Sequence, residues 1–273
     1  MVKVGAIIQA RLGSERLPNK ALLPLPFGGG PSLLQHVVNR AKAASSEYHV
    51  IVATSATAAD DQIQQLCEQE QIHCFRASLD DVLARFSDAA EKYKLDVVIR
   101  LTGDNPFIFP KKIELAVTEH LKSGAAYTLT EGLPLGTNLE VISASALLQA
   151  AAEATEPDDR EHVTPYIRRT ESFRKHTIHF ESDLKALRLT VDYPSDYALA
   201  SMLYEKLSVT DPNFGLDQLE QLLRDHPWLL HVNSQNTQRM AFASEKEELA
   251  EARKVLQQRG FTRVLKYIKE KNA

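Results

Sequence analysis

Val4-Gly5-Ala6-Ile7-Ile8-Gln9-Ala10-Arg11-Leu12-Gly13-Ser14-Glu15-Arg16-Leu17-Pro18-Asn19-Lys20 is the stretch on which the reading of this chain turns. Its first five residues are an unbroken apolar run, as in a strand buried on both faces of a parallel sheet. The polar loop that follows carries Arg11, Arg16 and Lys20 with Gly13, Ser14 and Pro18. No fold needs three cations in one short loop, so the cluster points to an anionic ligand. Arginine binds phosphate with a planar fork and lysine as a mobile point charge. Gly13 lets backbone N–H groups approach, and Ser14 adds a hydroxyl donor. Neither G-x-x-x-x-G-K-[ST] nor G-x-G-x-x-G fits. The Gly28-Gly29-Gly30 trio follows no strand and reads as a flexible loop, with a lid as the other reading.

Outward from this stretch, apolar runs alternate with amphipathic segments. Ser32 is placed to cap a helix whose inner side is Leu33, Leu34, Val37, Val38 and Ala41. Strands are expected at 49–53, around 74–75 and at 97–101, with helices at 60–69, 78–93 and 110–123. Beyond Tyr127 the pattern is irregular. Strands are expected near 139–142, 176–180 and 187–191, and helices at 144–153, 162–169, 195–207, 216–224 and 245–258. This is an α/β chain with helices covering a mixed, mainly parallel Rossmann-like sheet. The expected division is a 1–208 domain and a small helical appendage at 209–273. Ligands of such sheets bind beyond the carboxyl ends of the strands, which directs attention to 9–20, 53–55, 76–81 and 102–106.

Bulk composition sets limits. Over 273 residues, 32 Lys+Arg against 36 Asp+Glu give a formal charge of −4, which leaves no electrostatic footprint for nucleic acid. No apolar run reaches about 18 residues, so no membrane span is expected. Only Cys67 and Cys74 are present, too few for a secreted disulfide framework, and the expected location is the cytoplasm. Asp104 follows the 97–101 strand and Asp192 ends the expected 187–191 strand. If both strands share a sheet, the two carboxylates reach one edge, where Mg²⁺ takes one or two carboxylates plus phosphate oxygens. Turn and helix-cap roles account for the same two residues equally well on spacing alone.

Ile7 to Lys20 resembles the signature of the sugar-acid cytidylyltransferases, the synthetases of CMP-Kdo and CMP-sialic acids, nearest to the SpsF-type branch of spore-coat polysaccharide biosynthesis. The resemblance continues in order through Arg76–Phe86, Arg100–Pro106, Arg160–Tyr166 and Leu187–Asp196. It implies a nucleotide-diphospho-sugar-transferase-like fold, CTP as co-substrate, Mg²⁺ as cofactor and an acidic sugar as acceptor, with pyrophosphate released and often a homodimer. It makes Arg11, Lys20 and Asp104 catalytic. Gln9, Ala10, Arg11, Gly13, Ser14, Arg16, Lys20 and Asp104 become nucleotide contacts, and Asp104 and Asp192 metal ligands. Arg76 and Asp81 receive a place beside nucleotide or sugar, although Ser78 and Asp81 read equally as helix caps. Asn138, Glu140, Glu161 and His162 are the remaining substrate candidates, with plain solvation as the other reading. Departures from the family pattern are the extra loop at 27–30, Phe109 in place of an acid and Asn138 in place of Asp. A glycosyltransferase of the same fold is the first rival, weakened by the lack of any D-x-D pair. A non-catalytic nucleotide-binding protein is the second.

Overall fold

The computed structural model describes residues 2–236 and 245–271. Seven strands form one sheet in the order β3-β2-β1-β4-β6-β5-β7. They are β1 (Val4–Gln9), β2 (His49–Ser55), β3 (His73–Ala77), β4 (Val97–Thr102), β5 (Tyr127–Glu131), β6 (Glu140–Ser143) and β7 (Lys175–His179). β1 pairs parallel with β2 and β4, and β2 parallel with β3. β6 alone runs antiparallel, to β4 and β5, and β7 pairs parallel with β5. The direction of growth reverses between β1 and β4, and a crevice at the carboxyl ends there is the expected ligand position.

Strand periodicity explains the layers. Ala6 and Ile8 of β1 pack with Val52, Ile99 and Val141 under α1 (Leu33–Ala44), α2 (Asp61–Gln69) and α4 (Pro110–Ser123). Ile7 faces the other way, with Val98 and Ile142, against α3 (Val82–Lys92) and α5 (Ala144–Glu153). A third cluster joins Leu33, Phe107, Phe109, Leu187, Leu189 and Val191 to α8 (Pro194–Leu207) and α9 (Leu216–Asp225). Ser32 caps α1 as expected: its hydroxyl accepts from Gln35 N–H and Gln35 Oε1 accepts from Ser32 N–H at 2.6 Å.

Several local expectations are corrected. Residues 187–191 are not a ladder strand; a single parallel bridge, Leu135 to Arg188, ties them to the 132–139 turn. The helix expected at 162–169 is two short ones, α6 (Pro157–His162) and α7 (Pro165–Arg169). Pro165 has no N–H to donate and Val163 sits at φ 72°, so the helix cannot run through. Helix α3 starts at Val82 with Asp81 as its N-cap, four residues later than expected. β5 lay in the stretch read as irregular; its Thr128 and Thr130 are buried polar residues that mask the apolar pattern.

The chain divides into two compact units, Met1–Asn236 and Thr237–Ala273. Residues 209–236, assigned to the appendage from sequence, therefore belong to the first unit. Phe214 and Leu219 are fully buried beside Leu199 and Leu203, and the buried Arg40 guanidinium donates to the Phe214 carbonyl at 3.0 Å. The second unit contains α10 (Glu245–Gln258) and α11 (Thr262–Lys271), joined by a turn at Gly260 with φ 74°. Among the described residues no helix is long and apolar enough to cross a membrane.

Candidate active site

The loop after β1 is held from below. Ala10 N–H donates to Ala53 O at 3.1 Å, and Gly103 N–H donates to Gln9 O at 2.8 Å. Gly103 packs tightly here: a Cβ would stand 3.1 Å from Ala10 Cβ and 3.2 Å from Gln9 O, so a side chain would require those neighbours to give by a few tenths of an ångström. Asp60, which sequence reasoning passed over, anchors the loop to β2. Its buried carboxylate accepts from Leu12 N–H at 2.8 Å and from the Ser55 hydroxyl. Its only sequence signal is an acid at a helix start, which many helices share.

Lys20 then lies beside the carboxyl end of β4, between two carboxylates. Its ammonium donates to Asp104 Oδ2 at 2.8 Å, Asp192 Oδ1 at 2.7 Å and the Val191 carbonyl at 3.0 Å. Asp104 and Asp192, 88 residues apart in sequence, are thus bridged by one cation. The 187–192 segment reaches this place without being a strand. Val191 N–H donates to Asp104 O at 2.9 Å, and Gly136, at φ 93°, leaves room for Thr190 N, which would lie 2.7 Å from a Cβ. Burial works against the charge on Lys20, but Asp104 and Asp192 overcome it and hold the ammonium pKa above its ordinary value. Burial likewise opposes the Asp192 charge, while Lys20, Arg188 and Arg16 hold that carboxyl below the usual range.

Arg16 stands at the rim, 3.7 Å from Asp192 Oδ1, donating to the Tyr193 hydroxyl at 3.1 Å and lying over the Tyr193 ring. Arg11, Gly13 and Glu15 are exposed on the loop and Ser14 is half-buried. Burial disfavours the charge on the buried Arg85; Asp60 opposes that and Arg11 adds to it. Asp192 is backed by Arg188, which donates to Asp192 Oδ2 at 2.6 Å and is itself held by the buried Asp196. Neither Arg188 nor Asn233 carried a role on sequence grounds: the partners of Arg188 lie four and eight residues on, and those of Asn233 lie 37 and 45 residues back.

Four of the remaining candidates, Arg76, Asp81, Asn138 and Glu140, are engaged by internal partners. Arg76 donates to Ser55 O, Thr57 O and Gln64 and pairs with Asp61; it borders an open hollow of about 510 Å³ with Glu68, Lys92 and Cys74. Asp81 accepts from Ala84 N–H at 2.8 Å as the α3 cap and pairs with Arg160. Asn138 closes its own turn on Leu133. Glu140 is a half-buried hub that accepts from Arg100 at 2.6 Å, Tyr127 at 2.5 Å and Thr164 at 2.8 Å. Arg100 in turn donates to Gln9 Oε1 at 3.4 Å, so this hub borders the loop. Glu161 and His162 are exposed at the end of α6.

Among the described residues no three His, Cys, Asp or Glu side chains gather to hold a metal. The site offers two carboxylates, and a cation already fits between them in the form of the Lys20 ammonium. That donor set suits Mg²⁺, which completes its shell with phosphate oxygens and water.

A family model described as Cytidylyltransferase matches residues 5–256. The spore coat polysaccharide biosynthesis protein SpsF of Bacillus subtilis is 35% identical over 229 residues, 81% of this chain and 94% of that protein. A 3-deoxy-manno-octulosonate cytidylyltransferase of Polynucleobacter asymbioticus is 38% identical over 112 residues, 39% of this chain and 41% of its own. A cytidylyltransferase structure from Leptospira borgpetersenii superposes with a TM-score of 0.79 at 28% identity, covering 88% of this chain and all of that one.

Proposed function

The chain belongs to the cytidylyltransferase family, and from that premise we propose that it transfers CMP from CTP to an acidic sugar of the nonulosonate or octulosonate type, in surface polysaccharide synthesis. In the proposed step the sugar's anomeric oxygen attacks the α-phosphorus in line. The bond from the α-phosphorus to its bridging oxygen breaks, pyrophosphate leaves, and the hydroxyl proton passes to water. Arg11, Arg16 and Lys20 grip the β and γ phosphates, with donors from Gly13 and Ser14. Backbone groups at Gln9 and Ala10 meet the cytosine edge. Asp104 and Asp192 hold Mg²⁺, which supplies neutralisation of the charge that gathers on the leaving pyrophosphate. Positioning and fixed charge are most of what phosphoryl transfer asks of a protein.

The observation that carries this reading is the Lys20 ammonium between Asp104 and Asp192, at 2.8 and 2.7 Å. It sets a phosphate-seeking cation and two metal-seeking anions side by side at the β1/β4 crevice. The test is pyrophosphate release with Mg²⁺, each of the four NTPs and a panel of nonulosonic and octulosonic acids. Release with CTP and a sugar acid, abolished in Asp104→Ala, is expected. Failure to bind CTP overturns the proposal.

A further inference from the structure

Asp192 spends its two oxygens differently. Oδ1 accepts from the mobile Lys20 ammonium at 2.7 Å, while Oδ2 is taken by the Arg188 guanidinium at 2.6 Å. That second commitment is locked. The Nε of Arg188 donates to both oxygens of Asp196 at 3.1 Å. Asp196 Oδ1 also accepts from the amides of Asn233 at 2.9 Å and Asn236 at 2.7 Å, and its Oδ2 from the backbone N–H of Asp192 and of Tyr193, each at 3.0 Å. Asn233 donates further to the Arg188 carbonyl at 2.9 Å. Arg188, Asp196 and Asn233 are 7%, 2% and 3% exposed. Arg188 cannot swing off Asp192 without stripping a buried carboxylate of its cation, which is costly.

We propose that Arg188 determines cation specificity: by occupying Oδ2 it makes Asp192 a one-oxygen ligand, which admits small six-coordinate ions, Mg²⁺ and Mn²⁺, and disfavours Ca²⁺. Ca²⁺ takes six to eight oxygens at longer distance and readily uses both oxygens of a carboxylate; Mg²⁺ keeps near-octahedral geometry with few protein ligands. An arginine is required for the lock, because its fork serves Asp192 and Asp196 together, whereas a lysine ammonium is a single point of charge. Asp196, Asn233 and Asn236 act through Arg188 and are positioning residues. The inference rests on Asp104 and Asp192 being the cation carboxylates of the proposed reaction.

The test needs no turnover. Mn²⁺ uptake by the full chain with CTP, without sugar, is followed by electron paramagnetic resonance, and bound Mn²⁺ is displaced with Mg²⁺ or Ca²⁺. The expected wild-type result is displacement by Mg²⁺ at concentrations at least about tenfold below those of Ca²⁺. Arg188→Lys narrows that ratio about tenfold, and Asn233→Ala narrows it about threefold. A purely structural ion pair would weaken both ions alike and leave the ratio alone. An unchanged ratio, within twofold, in either folded variant overturns the inference, and so does a wild-type ratio near one, whatever the variants do. Absence of CTP-dependent Mn²⁺ uptake in the wild type instead overturns the proposed function beneath it.

Discussion

Lys20→Met separates the two charges that Lys20 reconciles. The side chain is 12% exposed, and methionine keeps most of its stem while removing contacts at 2.7, 2.8 and 3.0 Å. Breaking a buried ion pair costs about 3–5 kcal/mol. Here Asp192 retains Arg188 at 2.6 Å and Arg16 at 3.7 Å, and Asp104 and Asp192 keep 27% and 20% exposure. The expected loss in urea unfolding is therefore about 2–3 kcal/mol, below the buried-pair range because of that remaining solvation. Its pH dependence follows from both partners. The depressed Asp192 carboxyl contributes stability above its unfolded pKa of about 3.9, lost as pH falls through the folded value. The raised Lys20 contributes below its unfolded pKa of about 10.4, lost as pH rises through its folded value. The wild-type advantage over Lys20→Met is thus a plateau near neutrality that declines at both extremes. Losing one preorganised donor to a developing phosphate charge lowers kcat about 10²–10³-fold. Pyrophosphate release at saturating CTP reads this directly. Activity within threefold of wild type, or a stability difference that does not change between pH 7 and pH 2.5, refutes the reasoning.

Two further outcomes are expected. Glu140→Gln leaves the Arg100 guanidinium without its counter-charge beside Gln9 and, since both side chains keep some solvent exposure, destabilises the chain by about 2–3 kcal/mol. Burial pushes the Glu140 carboxyl up, but Arg100, Tyr127 and Thr164 pull it further down, so its contribution is present above its unfolded pKa and lost as pH falls through the lower folded value; acid unfolding curves of the variant should lack that component. Asp60→Ala strips Leu12 N–H and the Ser55 hydroxyl of their buried acceptor, costing about 2–4 kcal/mol by thermal unfolding and raising KM for the nucleotide more than it lowers kcat. An unchanged KM in a folded Asp60→Ala protein would separate the anchor from the nucleotide loop.

The alternation of apolar runs with amphipathic helices was legible because each element's burial is written in its own periodicity. β1, β2 and β4 and helices α1, α2 and α4 lie close to where the pattern puts them. The same logic fails at β5, whose buried Thr128 and Thr130 break the apolar pattern yet are satisfied by partners in the neighbouring elements: His120 of α4 for Thr128 and the Leu139 N–H before β6 for Thr130. It also fails for residues 187–191. Their apolar alternation suits a strand, yet they pack against Leu199 and Leu203 and meet a turn at Leu135 instead of a ladder.

The sequence by itself determined the fold class and the cation-rich loop after β1, because strand burial and loop composition are local properties. Only the tertiary structure decided that Lys20, Asp104 and Asp192 converge, that Asn233 stands behind them, and that Asp81 pairs with Arg160 and Glu140 with Arg100. A charge's role depends on which opposite charge lies within a few ångströms. That distance is set by how a sheet ordered 3-2-1-4-6-5-7 brings together segments many tens of residues apart, which no spacing along the chain records.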